Sequence, residues 1–160
     1  MIELKARTVC FTGHREIPPE RMDTLARRLK TIIIDMIESG YQYFGAGGAL
    51  GFDTLAAQTV LDLKRNYPHI KLILVLPCLS QSDRWSPHDK EIYEHIKTAA
   101  DKVVYTSREY FKGCMHKRNR HLVDNSAACI CYLAKNEGGT AYTVEYAKSK
   151  NLFVINIAEI

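Results

Sequence analysis

The sequence lacks the patterns of a membrane protein, a secreted protein and a metal-binding domain. None of its apolar runs approaches the length of a membrane span, and residues 1–7 do not have the form of a signal peptide. Its five cysteines are odd in number and include no CxxC pair. We therefore expect a cytoplasmic protein that has no membrane partner, no disulfide framework and no bound metal.

Repeats, low-complexity segments and linkers are also missing, so the 160 residues are expected to form one domain, residues 1–160. Hydrophobic residues make up 46% of the chain and charged residues 25%, an ordinary balance for a globular protein. The net charge of +4 is modest but uneven, because residues 108–121 hold five Lys or Arg against one Glu. A local basic surface of this kind suits a phosphate-bearing partner.

Apolar strand patterns alternate with helical patterns along the whole chain. The predicted strands are residues 8–12, 41–44, 70–76, 102–105, 127–133 and 152–157, and five helical patterns separate them. This alternation predicts an α/β fold: a single Rossmann-like domain with a mainly parallel sheet and helices on both faces. Ligands of such folds bind beyond the carboxyl ends of the strands, where the polar and glycine-rich segments of this chain fall.

The first glycine corner, residues 45–53, joins the second predicted strand to a helix. Glycine lets the backbone approach a ligand closely, and a helix N-terminus offers free N–H groups with a partial positive charge. The spacing matches neither the dinucleotide fingerprint nor the P-loop. We expect Gly47, Gly48 and Gly51 to approach a ligand, the alternative being a plain turn. Asp53 is either the helix cap or an acceptor for a ribose hydroxyl.

The second glycine corner, residues 137–140, follows the fifth predicted strand and precedes a predicted helix over residues 141–149. Gly138 and Gly139 are expected to approach the ligand here. Thr140 and Thr143 are expected to donate to a phosphate beside the helix N-terminus, the alternative being simple capping. Glu145 is the only carboxylate in this helix and so the candidate acid or base, the alternative being an ordinary exposed glutamate.

Two further segments at strand ends add candidate ligand contacts. After the first strand, Gly13 leads into His14 and Arg15, and the Arg15 guanidinium suits bidentate binding of a phosphate. His14 belongs either to this site or to the ordinary surface. After the third strand, Arg84 and Trp85 are expected to contact a base, the alternative for Trp85 being a core anchor at a helix entry.

Four segments in combination resemble the SLOG superfamily of Rossmann-like domains, and most closely its YpsA-like branch of bacterial proteins. They are Thr12-Gly13-His14-Arg15, residues 47–53 (GGALGFD), residues 76–85, and residues 138–144 (GGTAYTV). The resemblance implies a SLOG domain that binds a nucleotide or nucleotide derivative between the two glycine corners. An ADP-ribose-type molecule or a nucleoside monophosphate is the expected ligand, with the protein acting as a sensor or regulator. Many relatives form dimers, so a homodimer is one expected state.

The resemblance implies two alternative functions. The LOG branch of the superfamily comprises phosphoribohydrolases that cleave the N-glycosidic bond of nucleotides, a reaction in which Glu145 would be the catalytic carboxylate. Its PGGxGTxxE motif, however, places the acid one position earlier than Glu145. The DprA branch binds single-stranded DNA, and here residues 108–121 would contact the phosphates.

Overall fold

The computed structural model describes residues 2–159, with side chains from Leu4 onward, so that Met1 and Ile160 at the ends of the predicted domain lie outside the described residues. Six strands form one sheet: β1 (Thr8–Gly13), β2 (Tyr43–Ala46), β3 (Lys71–Leu76), β4 (Lys102–Tyr105), β5 (Ala128–Tyr132) and β6 (Phe153–Asn156). Every neighbouring pair is parallel, in the order β4-β3-β2-β1-β5-β6. The predicted Rossmann-like α/β fold is confirmed.

Helices cover both faces of the sheet. The described residues contain α1 (Ile2–Ala6), α2 (Met22–Glu38), α3 (Phe52–Leu63), α4 (Pro87–Ala99), α5 (Cys114–Asp124) and α6 (Gly138–Ser149), with short 3-10 turns at Pro19–Arg21 and Ile157–Glu159. Helices α2 to α4 share a core with Phe11 and Leu74 on one face, and α5 and α6 pack around Cys10 and Cys129 on the other. The sequence did not predict α1, because five residues are too few to show a helical period.

The order of the strands places a crevice at one point of the sheet. From β1 the chain moves outward through β2, β3 and β4, and it then crosses back so that β5 pairs with the other side of β1. The connections of β1 and β5 therefore leave in opposite directions. Open α/β sheets bind ligands beyond the carboxyl ends of the strands at such a switch point.

Three features bear on the predicted absences. Within residues 2–159, no helix combines the length and the apolar character that a membrane span requires. All five cysteines are buried and unpaired. In the same described part of the chain, no group of three or more His, Cys, Asp or Glu side chains is placed to hold a metal ion.

Candidate functional site

A cavity of about 280 Å³ lies at the carboxyl ends of β1 and β5 and is here called the switch-point cavity. Its walls come from the segment after β1, the turn before α3, the middle of α5 and the start of α6. Seven of the predicted site residues line it: Gly13, His14, Arg15, Asp53, Gly138, Gly139 and Thr140. The structure thus brings together three segments that are far apart in the sequence.

The second glycine corner forms the open wall of this cavity. Helix α6 begins at Gly138 rather than at Ala141, so the two glycines belong to the first helical turn. No atom lies within 4 Å of the position that a Cβ would occupy at Gly138 or Gly139. The residue before the helix, Glu137, makes no side-chain capping hydrogen bond. The first turn therefore presents backbone N–H groups and the positive end of the helix dipole to open space.

The first glycine corner is packed against its own chain. A Cβ on Gly47 would lie 2.6 Å from the Arg118 guanidinium, and a Cβ on Gly51 would overlap the backbone of Arg15. Gly51 also has a φ of +79°, which side chains rarely adopt. These two glycines permit close contact within the protein, which the prediction of an approach to a ligand did not include.

Asp53 holds the first glycine corner in place. Its side chain is 6% exposed, and Oδ2 accepts a hydrogen bond from the Ala49 N–H at 3.3 Å, while Oδ1 has no partner among the described atoms. Gly51 occupies the helix-cap position, so Asp53 is not the cap of α3. Burial raises the pKa of Asp53 to about 6, although the nearby Arg118 charge opposes the shift. At neutral pH the carboxylate form therefore predominates.

Arg118 lines the cavity and was not among the predicted site residues. It is 4% exposed, its Nη1 donates to the Gly47 carbonyl, and its Nε donates to Asn119 Oδ1 at 2.7 Å. The ion pairs among the described residues are Lys64–Asp101, Arg65–Asp62 and Lys97–Glu94, none of which includes Arg118. A guanidinium remains charged even when burial lowers its pKa. Among the described residues no carboxylate lies within ion-pair distance of this buried positive charge, although the Asp53 carboxylate is near enough to oppose the lowering of the Arg118 pKa by burial.

A sequence signal for Arg118 does exist. The buried residues of α5 include Cys114, Arg118 and Leu122, which follow one another at intervals of four. Arg118 thus falls on the apolar stripe of an amphipathic helix, where a charged residue is unusual. The prediction assigned a local basic surface to residues 108–121 and did not place Arg118 on this apolar stripe. The other cavity residues absent from the predicted site are Thr12, Ala49, Met115, Asn119 and Glu137.

His14 connects the segment after β1 to two other parts of the site. Its backbone N–H donates to Tyr132 at the end of β5, and its carbonyl accepts from the N–H of Phe52 at the start of α3. The ring atom Nε2 accepts from the N–H groups of Ala134 at 3.0 Å and Lys135 at 3.1 Å. Burial, reinforced by the Lys135 charge, lowers the pKa of His14. The structure therefore favours a structural role for this histidine over a plain surface position.

Several predicted residues lie elsewhere. Gly48, Gly51 and Trp85 line a separate cavity of about 220 Å³ on the other side of the first glycine corner. Trp85 packs edge-on against Tyr93 with the ring centroids 5.1 Å apart, which agrees with the alternative of an anchor at a helix entry. Arg84 is exposed and does not line the switch-point cavity.

The two remaining candidates on α6 also lie outside the cavity. Thr143 is 3% exposed, and its hydroxyl donates to the Gly139 carbonyl at 2.9 Å, so it bonds within its own helix. Glu145 is exposed two residues further along. The carboxylates that do line the cavity are Asp53 and Glu137. Glu145 does not line the switch-point cavity.

The basic residues of 108–121 point in different directions. Lys117 is exposed, Arg118 is turned into the cavity, and Arg120 is partly buried with Nη1 3.5 Å from the Tyr142 hydroxyl. Tyr110 and Phe111 are 65% and 44% exposed, and Lys117 Nζ lies 5.9 Å from the centre of the Phe111 ring. An exposed aromatic and basic surface thus adjoins the helix that carries Arg118.

Comparison with known proteins identifies relatives along most of the chain. Residues 10–157 match the family model YpsA, described as the YspA SLOG family. A UPF0398 protein of Brevibacillus brevis is 28% identical over 145 residues, which cover 85% of this chain and 77% of that protein. The SPbeta prophage-derived protein YoqJ of Bacillus subtilis is 30% identical over 141 residues, covering 80% of this chain and 82% of YoqJ.

Solved structures of DNA processing protein A (DprA) share the fold. The protein from Streptococcus pneumoniae gives a TM-score of 0.68 at 21% identity, over 94% of this chain and 50% of that one. The protein from Helicobacter pylori, whose structure concerns its single-stranded DNA binding mode, gives 0.65 at 22% identity, over 94% and 66% of the two chains. This chain thus spans half to two thirds of each DprA chain.

Proposed function

We propose that this chain, which belongs to the YpsA family of SLOG proteins, binds a phosphate-bearing ligand of the nucleotide type in the switch-point cavity. The phosphate would contact the N–H groups at the start of α6, beside Gly138 and Gly139. Arg15 and Arg118 would balance its charge from the opposite walls. The protein would act as a sensor or regulator that responds to this ligand.

The buried guanidinium of Arg118 is the observation that carries the proposal. Burying a charge without a partner is costly, and proteins normally avoid it by ion pairing. Here no carboxylate among the described residues forms an ion pair with Arg118. The side chain instead faces a cavity whose other wall is a helix N-terminus without a side-chain cap. Both features favour an anion, and a phosphate satisfies both at once.

The volume of the site suits a nucleotide that extends beyond the cavity. At about 280 Å³ the cavity lies at the lower end of the range of ligand sites. A neighbouring groove of about 810 Å³ shares His14 and Arg15 with it and is also lined by Ile17, Pro18 and Met22. A phosphate in the cavity thus leaves the apolar side of this groove free for a sugar or a base. ADP-ribose would fill more of the two spaces than a nucleoside monophosphate.

Substitutions at Gly139 test the proposal without disturbing the fold. A side chain at this position enters open space, and an aspartate in the first turn of a helix adds about 0.3–1 kcal/mol of stability through the helix dipole. The same carboxylate would repel a phosphate. We expect Gly139→Asp to retain or raise the melting temperature while weakening the binding of AMP and ADP-ribose at least about tenfold in calorimetric titrations.

Gly139→Ala provides the matched control for charge. Its methyl group occupies part of the same space without adding a negative charge, so its affinity should lie between those of the wild type and Gly139→Asp. Unchanged affinity in Gly139→Asp would show that the ligand does not use this corner. If neither nucleotide binds the wild type at millimolar concentration, the proposal itself fails.

Single-stranded nucleic acid is a second candidate ligand, favoured by the exposed surface of Tyr110, Phe111, Lys112 and Lys117. Exposed aromatic rings beside lysines are typical of surfaces on which bases stack and phosphates are neutralised. Tyr110, Phe111 and Lys112 precede α5, and Lys117 lies within it next to Arg118 and Asn119, which line the cavity. A strand with one phosphate in the cavity would continue over these rings.

A nucleotide and single-stranded DNA differ in how strongly their binding depends on salt concentration and on the rings of Tyr110 and Phe111. If DNA is the ligand, Tyr110→Ala and Phe111→Ala should each weaken binding of a thymidine oligonucleotide by about 1–3 kcal/mol. Lys112→Ala and Lys117→Ala should each reduce the slope of log affinity against log salt by about one phosphate contact. Fluorescence anisotropy at several salt concentrations measures both. AMP binding should be indifferent to all four substitutions, and Arg84→Ala, at an exposed position outside the switch-point cavity, is the control.

A further inference from the structure

The second glycine corner depends on a histidine for its position. The ring atom His14 Nε2 accepts hydrogen bonds from two successive backbone N–H groups, those of Ala134 and Lys135. These residues begin the segment that joins β5 to α6, and Gly138 starts the helix three residues later. A backbone N–H can only donate, so Nε2 must be free of a proton in this arrangement. The proton of the neutral ring therefore resides on Nδ1.

The same histidine is anchored to the rest of the site through its backbone. Its N–H donates to the Tyr132 carbonyl, and its carbonyl accepts from the Phe52 N–H. The ring also meets the Tyr132 ring edge-on, with the centroids 5.6 Å apart. The side chain consequently reaches the Ala134–Lys135 segment from a fixed base. Protonation of Nε2 would therefore remove the shared acceptor of two N–H groups in that segment.

We propose that His14 is a positioning residue that sets the second glycine corner for anion binding, and that protonation of its ring releases this corner and weakens binding. The predicted effect on affinity rests on the proposed function. The positioning of the second glycine corner by His14 does not depend on it. Its sign is opposite to the usual expectation, in which a protonated histidine at an anion site strengthens binding through its positive charge.

The surroundings of the ring support this sign. The charged and titratable groups that face it are Lys135 and Glu137 from the segment before α6, Arg15 and Glu16 from its own segment, Tyr132 from β5, and Asp53 and Arg118 across the cavity. Burial and the Lys135 charge lower the pKa of His14 from its ordinary 6.5, and Glu137 only partly opposes them. The neutral ring therefore prevails at neutral pH, and the protonated form becomes the major one only at a pH below the ordinary pKa of 6.5.

The first part of the experiment needs no ligand. Nitrogen-15 NMR of the wild-type protein at pH 8 should show His14 with its proton on Nδ1 and none on Nε2. Hydrogen exchange of the Ala134 and Lys135 amides should accelerate in His14→Ala and return towards the wild-type rate in His14→Gln, whose side-chain oxygen replaces the acceptor. A proton on Nε2, or equal exchange in the wild type and His14→Ala, would overturn the positioning role.

The second part measures the affinity for AMP between pH 5 and pH 8 at constant ionic strength. Because the phosphate of AMP titrates in this range, the informative quantity is the ratio of wild-type to His14→Gln affinity at each pH. This ratio should fall by at least about threefold from pH 8 to pH 5, since only the fraction with a neutral His14 retains the binding geometry. His95→Gln, at an exposed position on α4, is the control: the ratio of wild-type to His95→Gln affinity should be the same at every pH.

A ratio that rises towards pH 5 would show direct contact between the charged ring and the anion and would refute the proposed sign. If AMP fails to bind any variant while the NMR and exchange results hold, the failure concerns the proposed function and leaves the positioning role intact. The two inferences therefore fail separately.

Discussion

Gly51→Ala is expected to lower the melting temperature more than any other single methyl addition in the first glycine corner. The φ of +79° at this residue imposes strain of about 1–3 kcal/mol on an alanine. The new Cβ would also overlap the carbonyl carbon and oxygen of Arg15, which are backbone atoms and cannot rotate away. Overpacking of this kind costs about a further 1–3 kcal/mol.

The expected total of roughly 2–6 kcal/mol is a large share of the stability of a domain, which is about 5–15 kcal/mol. Relief would require the Arg15 backbone to move, yet the adjoining His14 carbonyl is tied to the Phe52 N–H at 3.1 Å. We therefore expect a drop of at least about 4 °C in differential scanning calorimetry. Movement of this segment would also displace the Arg15 side chain and so weaken nucleotide binding.

Gly40→Ala separates the steric conflict from the backbone strain. Gly40 has a φ of +105°, but no atom lies within 4 Å of its potential Cβ. Its substitution should cost the strain alone and leave the cavity unchanged, because it follows the far end of α2. Equal losses of stability in the two variants would show that the close approach to Arg15 contributes nothing.

The fold was predictable because each element carries its own pattern. The continuous apolar run before Pro77 predicted β3 within one residue of its start, and β4 was predicted with the observed bounds of Lys102–Tyr105. A buried parallel strand and an amphipathic helix differ in the spacing of their apolar residues, and that spacing is local information. The order of the strands in the sheet depends on contacts between distant parts of the chain. The pairing of β1 with β5 therefore could not be derived from the spacing of apolar residues.

The site was predictable in its location and less so in its details. Polar residues at strand ends led to His14, Arg15 and the second glycine corner, all of which line the cavity. The sequence shows where a glycine is but not which group needs the space beside it. At Gly47 that group is the Arg118 guanidinium, which approaches from a helix some seventy residues later. Such long-range packing becomes visible only in three dimensions.

Arg118 itself gives the sharpest separation of binding from stability. We expect Arg118→Met to reduce the affinity for AMP about tenfold to a hundredfold, because a hydrogen bond to a charged group contributes about 1.5–3 kcal/mol. Its stability should change little, because methionine has a similar length and removes a buried charge that has no ion pair, while the buried Asp53 carboxylate loses the Arg118 charge that favours it. The Gly47 carbonyl keeps the Gln81 amide as a neighbour, with Nε2 at 3.5 Å.

Arg120→Met is the matched control, because it makes the same change two residues later on α5 and outside the switch-point cavity. Calorimetric titration with AMP and thermal unfolding should be measured for both variants and for Arg118→Lys. Lysine keeps the charge without the planar fork, so it should retain part of the affinity. Equal AMP affinity in Arg118→Met and the wild type would remove the main support for an anion site. Unfolding of Arg118→Met together with full binding by Arg118→Lys would instead assign the guanidinium to holding the first glycine corner. Loss of binding with an intact fold is the result that a buried guanidinium without an ion pair, on the cavity wall opposite a helix N-terminus, predicts.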